Sequence, residues 1–301
     1  MLSVCIPIYK HDVRPLVHEL HKQATALMIQ AEILLLDDGS PEDTRMINRE
    51  LQELPLVKYE ELQENAGRSK IRNLLQKRAS FRYLLILDCD LTVIRQDYLA
   101  QYSKLLHEGA VICGGRIYGD KPADPQYLLH WHVGSKREVA TTRQRQANPH
   151  HNFITGNFVI DRQVFEKICF DEALSGYGHE DTLFGYELMK RDIPVIHIDN
   201  PLVHEGLEPA EQFLAKTREG LRNLLITWNL VHHDPRYAQM VRILKIYLRL
   251  RRLGMHKLAA SISNPLENFL LQNLTGKKPN TILFDIYKLC LLCRLSMQRN
   301  R

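Results

Sequence analysis

Tyr83-Leu84-Leu85-Ile86-Leu87-Asp88-Cys89-Asp90 decides how this chain folds: an apolar run of strand length that ends in two carboxylates at i and i+2. A short apolar run bounded by polar residues is the pattern of a strand buried on both faces. Side chains two apart share one side of a strand, so both acids can face one pocket at its exit. Upstream, Leu2–Ile8 and Glu32–Leu36 repeat the pattern, leading into Pro7-Ile8-Tyr9 and Asp37-Asp38-Gly39-Ser40; downstream, Ala110–Cys113 adds a fourth run. Amphipathic stretches near 13–28, 43–53, 67–79 and 96–107 lie between them. Strands alternating with helix-length segments predict βαβ units and a mostly parallel sheet. In open α/β sheets ligands bind beyond the carboxyl ends of the strands, so three polar strand ends in one half predict a ligand cleft there.

The 301 residues are 45% hydrophobic and 25% charged, with 13 Pro and 15 Gly. This globular balance excludes disordered, collagenous and disulfide-scaffold classes. Six cysteines, at 5, 89, 113, 169, 290 and 293, lack framework spacing and point to a reducing compartment. No window reaches the roughly 18 to 20 uninterrupted apolar residues of a bilayer span. Met1–Pro7 lacks the basic start and cleavage site of a secretory leader, so the expected location is cytoplasmic. The net charge of +5 divides unevenly: residues 205–301 hold 16 Lys+Arg against 7 Asp+Glu, and residues 1–204 hold 24 against 28. Nucleic acid, an anionic membrane surface and a phosphate-rich ligand are all accounts of such a division.

Beyond residue 115 the pattern changes. Gly119–Pro125 is a turn-rich break, and the polar run 134–151 has no sustained period, as in a functional or mobile loop. Strand-like signals return at 153–160 and 195–198, with helical ones at 163–168 and 180–190. Past residue 210 the pattern is helical, near 210–231, 236–260, 265–274 and 281–298, with breaks at Pro235, Asn264-Pro265 and Lys277-Lys278-Pro279. The expected organisation is a catalytic domain over 1–206, made of a nucleotide-binding half (1–115) and an acceptor half (116–206), followed by a basic helical extension over 207–301.

Several constellations can carry chemistry. Hard carboxylate oxygens such as those of Asp88 and Asp90 suit Mg²⁺ or Mn²⁺ carrying a diphosphate, although Asp-x-Asp serves equally as a surface turn. Asp37-Asp38-Gly39-Ser40 can turn the chain and cap a following helix; that does not explain why two strand exits both carry acid pairs. In Asn65-Ala66-Gly67-Arg68-Ser69-Lys70-Ile71-Arg72-Asn73 a glycine opens a helix rich in cations, a combination that favours a phosphate or simply a solvated basic face. Cys290 and Cys293 have no second pair and read as structural thiols.

Taken in order, Pro7-Ile8-Tyr9, Asp37-Asp38-Gly39-Ser40, Asn65-x-Gly67-x-x-x-x-Arg72-Asn73 and Asp88-x-Asp90 resemble glycosyltransferase family 2 over roughly residues 1–115. The resemblance implies a GT-A fold and an inverting enzyme that uses a nucleotide-diphosphate sugar. It implies that Pro7, Ile8, Tyr9 and Asp38 line the nucleobase pocket, that Gly67, Arg68 and Arg72 sit by the nucleotide, and that Asp88 and Asp90 hold ribose and metal. Ile71 stands where the family has a small residue. Phe153-Ile-Thr-Gly156-Asn157-Phe-Val-Ile160, followed by Phe170-Asp171-Glu172 and Gly176-Tyr177-Gly178-His179-Glu180-Asp181, is similar to a galactosyltransferase-type module. That likeness implies Gly156, Asn157 and Glu180 at the sugar and acceptor, and Asp181 as general base, a role that a helix N-terminus favours by keeping the carboxylate ionised. His204, after the 195–198 strand, is implied as a further metal ligand, for Mn²⁺ or Mg²⁺. Trp131 can stack on a sugar ring or pack internally.

The expected activity is therefore metal-dependent, inverting transfer of a single sugar, from a UDP-hexose or UDP-N-acetylhexosamine, to a glycan or lipid-linked acceptor. A nucleotidyltransferase and a non-catalytic sugar-nucleotide-binding scaffold are the alternatives. The first wants a glycine-rich, lysine-bearing signature near the N-terminus; the second leaves Glu180-Asp181 without a task. In Val241–Leu253, apolar residues at 243, 244, 247, 250 and 253 form a stripe between cations, which fits either docking on the anionic inner face of a membrane or packing on the protein. Nucleic acid is not expected, because no stacking-aromatic series accompanies the charge.

Overall fold

The computed structural model describes residues 1–174 and 176–298. Its strands are β1 (Leu2–Ile8), β2 (Ala31–Asp37), β3 (Val57–Glu61), β4 (Tyr83–Leu87), β5 (Leu91–Thr92), β6 (Val111–Cys113), β7 (Arg116–Tyr118), β8 (Asn157–Asp161), β9 (Ile196–His197) and β10 (Leu202–His204). Seven form one sheet in the order β3-β2-β1-β4-β8-β6-β9, and three form a second in the order β5-β10-β7. β3, β2, β1 and β4 run parallel, as the alternating pattern requires, while β8 lies antiparallel to both β4 and β6. The result is the expected mixed α/β sheet flanked by helices, with a helical C-terminal region.

The large sheet is covered on both faces, which is why its central strands are apolar throughout. Val4, Ile6, Ile33, Leu35, Leu85 and Leu87 enter one core, and their neighbours Cys5, Leu34, Leu36, Leu84 and Ile86 enter the other. Alternate residues of one strand thus serve opposite layers. Each fully buried Leu or Ile contributes about 1.5–3 kcal/mol. Truncating one near the centre, Leu85→Ala for example, costs about 3 kcal/mol because the packed layers cannot collapse onto the hole.

Two compact units divide the chain. The first comprises Met1–Gly119, Val139–Ser175 and Phe184–Gly206 and contains both sheets; the second comprises Asp120–Glu138, Gly176–Leu183 and Leu207–Arg301. Two segments upstream of residue 207 therefore belong with the C-terminal helices, where the sequence suggested one continuous catalytic stretch. In the second unit, His130 stacks on Phe213 with ring centroids 4.4 Å apart and accepts from the Glu208 backbone N–H at 3.0 Å, and Arg137 pairs with Asp285 at 2.7 Å.

Two expectations are corrected. The polar 134–151 stretch is not an irregular loop: it carries the helix Thr142–Ala147, opened by a reciprocal capping box between Thr141 and Gln144. Arg145 on that helix is buried and donates to the carbonyls of Ala140, Gly114 and Ile198 at 2.7, 3.1 and 2.6 Å. The expected break at Asn264-Pro265 does not occur, and the helix His256–Leu274 runs through Pro265. The stop comes earlier, at Leu253-Gly254-Met255, where Gly254 adopts φ +73°. In the stripe of Val241–Leu253, Leu244 and Tyr247 are buried, Ile243 and Leu250 half-buried and Leu253 exposed, so packing on the protein accounts for its centre. Arg299 and Arg301 lie outside the described residues. Among those described, no helix is long and apolar enough to cross a membrane.

Candidate active site

The small sheet assembles the metal-suited pair. β10 sits between β5 and β7, pairing His204 with both Leu91 and Tyr118, and the Glu205 N–H donates to the Asp90 carbonyl at 3.0 Å. This register carries the His204 side chain to the Asp90 carboxylate, with Nε2 to Oδ2 at 3.3 Å, and the Tyr118 ring lies 5.2 Å from the imidazole. Asp90 Oδ1 is buried with no hydrogen-bond partner among the described residues. A Cβ on Gly206 would fall well inside contact distance of Asp90 Oδ2, so only glycine leaves this carboxylate its place. Burial alone would raise the Asp90 pKa. His204, then Arg116 and Arg68, outweigh it and hold the carboxyl well below its ordinary range. An ionised carboxylate with a spare buried oxygen beside an imidazole is a donor set that fits Mn²⁺ or Mg²⁺. No cluster of three or more His, Cys, Asp or Glu suited to a metal occurs among the described residues. Two protein ligands with the remaining positions left to phosphate and water is the usual way Mg²⁺ is bound in nucleotide sites.

Asp88 stands apart from that pair, in the grip of arginines. Arg72 Nη2 donates to its Oδ1 at 2.6 Å and Arg68 Nη2 lies 3.9 Å from its Oδ2. Burial would raise the Asp88 pKa, and Arg72 followed by Arg68 reverses the shift, so the group stays ionised. Arg72 is itself 1% exposed. Its cation is committed to Asp88 rather than offered to a diphosphate, while the Arg68 side chain remains 39% exposed. Gly156 packs on the same carboxylate: a Cβ there would lie 2.5 Å from Asp88 Oδ2. Arg116 on β7 also faces this cluster, with Nη2 3.4 Å from the same hypothetical Cβ. Sequence reasoning missed Arg116. The signal was available, since Gly114-Gly115-Arg116 follows the strand β6 as another polar strand exit.

On the nucleotide side, Asp38 is a clamp. Its two oxygens accept from the N–H groups of Ala66 and Gly67 at 2.6 and 3.1 Å, and Asn65 Nδ2 returns a bond to the Asp38 carbonyl at 3.1 Å. Burial raises the Asp38 pKa against the pull of those two N–H donors. Gly39, at φ +73°, passes so close to the clamped segment that a Cβ would meet the Asn65 nitrogen at 2.7 Å. Gly67, at φ +87°, precedes the helix Arg68–Arg78, and a Cβ on it would meet nothing within 4 Å. An open, side-chain-free helix N-terminus is where an anion can approach. Of the expected nucleobase residues, Tyr9 is exposed, with the Lys10 ammonium 4.9 Å from its ring centroid, and Pro7 is half-buried. Ile8 is corrected: its side chain lies in the core and its carbonyl accepts from the Asp38 N–H at 2.7 Å, leaving it nothing to offer.

Asn157 is corrected too. It is 1% exposed. Oδ1 accepts from the hydroxyls of Tyr98 and Tyr102 at 2.6 and 2.7 Å, and Nδ2 donates to the carbonyls of Gly115 and Asn200 at 2.8 and 3.0 Å. Every bond the amide can make is used, so the side chain ties strand ends together behind the cluster instead of contacting a sugar.

In the second unit, Gly176 and Gly178 take φ +73° and +98°, and a Cβ on Gly178 would meet the Gly220 Cα at 2.9 Å. This tight loop delivers Glu180 and Asp181 into the first turn of the helix Glu180–Lys190. Glu180 Oε2 accepts from the Gly178 N–H at 3.0 Å, and Asp181 Oδ1 from the Thr182 N–H at 2.6 Å. Trp131 lies half-buried on the helix Leu128–Val133, its ring 5.1 Å from that of His132.

Comparison with known proteins accords with the fold. Chondroitin synthase of Escherichia coli is 25% identical over 214 residues, which are 60% of this chain and 31% of that protein. This chain thus spans less than a third of the curated relatives it matches. Among solved structures, the mannosyltransferase PcManGT from Pyrobaculum calidifontis, in complex with GDP-Man and Mn²⁺, superposes with a TM-score of 0.62 at 16% identity, covering 99% of this chain and 86% of that one. S. aureus TarS in complex with UDP-GlcNAc gives 0.53 at 16% identity, over 100% and 92%. At such identities the two structures speak for the fold alone. The profile of the family described as glycosyl transferase family 2 matches residues 3–169, more than half of the chain, and the chain belongs to that family.

Proposed function

We propose that the chain transfers one sugar from a nucleotide-diphosphate sugar, a UDP-hexose or UDP-N-acetylhexosamine, to a hydroxyl of a glycan or lipid-linked acceptor, with inversion at the anomeric carbon. The observation that carries this reading is the strand-exit cluster, where Asp90 and His204 leave a buried carboxylate oxygen unsatisfied beside Arg68 and Arg116. Asp90 and His204 would hold a divalent cation, which when bound supplies positive charge against a leaving diphosphate. Asp88, locked by Arg72, offers its remaining lone pairs to the ribose. The open N-terminus at Gly67 and the exposed Arg68 receive phosphate oxygens. Asp181, in the first turn of a helix, takes the proton from the acceptor hydroxyl as that oxygen attacks. That PcManGT was solved with GDP-Man and Mn²⁺, and TarS with UDP-GlcNAc, supports the choice of donor class.

The test is incubation with Mn²⁺ or Mg²⁺ and a panel of nucleotide sugars, following release of the nucleoside diphosphate and saccharide product. Metal-dependent release from one UDP-sugar is expected. No turnover and no metal-dependent nucleotide binding across the panel would overturn the reading.

A further inference from the structure

The stripe of Val241–Leu253 is buried at Leu244 and Tyr247, but its last member, Leu253, is exposed and leads into a second stripe. On the helix His256–Leu274, Leu258, Ile262, Leu266 and Phe269 are all exposed, Leu258 at 57% and Phe269 at 59%. Their spacing of four, four and three residues puts them on one helical face. Leu253, at 69%, and Met255 extend the same apolar exposure into the turn before the helix. Single exposed apolar residues need no explanation, but a contiguous stripe of six does.

The surrounding charge says what covers it. Between Asp234 and Glu267 the chain contains seven Lys+Arg and no acid. Arg249, Arg251, Arg252 and Lys257, nearest the stripe, are all exposed. The single acid of the helix, Glu267, lies on the opposite face, held by Arg294 at 2.7 and 2.9 Å and by Arg218 at 3.5 Å. Two copies meeting through this stripe would set cation against cation, and a surface without negative charge would leave the arginines unrewarded. An apolar stripe rimmed by cations, on a helix not apolar enough to span a bilayer, matches the interface of an anionic membrane.

We infer that Leu253–Phe269 is a membrane-docking edge: the stripe enters the headgroup region of an anionic lipid leaflet and the Arg249–Lys257 cations meet its phosphates. Docking of this kind would hold the second unit at a lipid surface, where a lipid-linked acceptor resides.

Flotation of the full chain with vesicles tests it. The chain should float with vesicles containing phosphatidylglycerol and remain behind with phosphatidylcholine alone, and 1 M NaCl should release it. Leu258→Asp with Phe269→Asp should abolish flotation. Arg249→Gln, Arg251→Gln and Arg252→Gln together should weaken it about a hundredfold, at roughly fivefold per cation. All five are surface positions, so melting temperatures should stay at the wild-type value. The inference falls if the chain floats with neither vesicle, or if flotation survives both variants. It falls equally if sedimentation finds a dimer that Leu258→Asp with Phe269→Asp dissociates while vesicles bind nothing. Flotation reads lipid binding without any sugar transfer, so its failure and the failure of the transferase reading are separate results.

Discussion

Replacing Asn157 with alanine removes one acceptor and two donors from the buried network behind the acidic cluster. Four groups lose a partner: the hydroxyls of Tyr98 and Tyr102 and the carbonyls of Gly115 and Asn200. Two keep a weaker bond, since Tyr102 still reaches the residue-157 carbonyl at 3.4 Å and the Gly115 carbonyl still accepts from the Leu202 N–H at 3.4 Å. Tyr98 keeps its hydrogen bond with Tyr102, whereas the Asn200 carbonyl loses this partner in a fully buried position. At about 1–3 kcal/mol for the abandoned carbonyl and about 0.5–1 kcal/mol for each of the three weakened groups, the expected loss is about 4 kcal/mol. For a unit of this size that lowers the melting temperature by on the order of 10 °C. Thermal unfolding followed by circular dichroism measures it, beside donor binding measured by calorimetry well below the transition. Asn157→Asp sharpens the test. It keeps the acceptor for the tyrosines but turns a carboxylate oxygen towards two carbonyls, so its folded pKa lies above the ordinary carboxylate value. The penalty is therefore full above that raised pKa and shrinks as the pH falls through it. A melting temperature within about 2 °C of wild type in Asn157→Ala, with donor or acceptor use lost, would refute the structural role and return the amide to the sugar site.

The other perturbations are simpler. Gly206→Ala drives a Cβ into Asp90 Oδ2, so Mn²⁺-dependent nucleotide binding by calorimetry should fall at least tenfold while the melting temperature holds; unchanged binding would remove Asp90 from the metal pair. Gly39→Ala should cost about 3 kcal/mol in denaturant unfolding, combining a strained φ with the clash at Asn65, whereas Gly67→Ala should cost only about 1 kcal/mol, since no atom stands in its way. Asp181→Asn should reduce turnover by a factor of about 10²–10⁴ with donor binding intact; loss of donor binding would contradict its role as base. His197 is buried, accepts from Arg145 Nε at 3.3 Å and donates from Nε2 to the Pro149 carbonyl at 2.9 Å. Burial, with Arg145 adding to it, lowers its pKa. The stability this neutral histidine contributes is complete above about pH 6.5 and lost as the pH falls towards the depressed folded value. His197→Gln should flatten that slope in melting temperature between pH 7 and 5.

The long apolar strands and their polar exits were legible because both faces of the sheet are buried, which writes an uninterrupted run into β1, β2 and β4. β3 was not, because Val57–Glu61 is an edge strand with charged residues and its apolar run is broken. β5, β7 and β10, two or three residues each, carry too little sequence to show a period, yet their register is what brings His204 to Asp90. Pairing of this kind is decided by tertiary contact. The acidic exits announced a ligand-facing cluster, but spacing alone could not say that Arg72 would be consumed by Asp88, or that Asn157 would be filled by two tyrosines from a distant helix. Residue type named the chemistry; only the packing assigned each group a task. Gly254 against Pro265 teaches the same for the helices: an exposed proline can be carried through a helix at the loss of one bond, whereas a residue at φ +73° ends it.

Gly156 and Gly206 each lie moulded against one of the two acids, Asp88 and Asp90. For anyone re-engineering donor choice, this fixes where diversity is useful. Randomising either glycine yields libraries in which nearly every member has displaced a carboxylate, so a change of sugar preference would be drowned by loss of activity. The productive positions are those with room in front of them. Gly67 faces open space but tolerates few side chains at its φ, which leaves Arg68 and Tyr9, both exposed, as the natural places to begin.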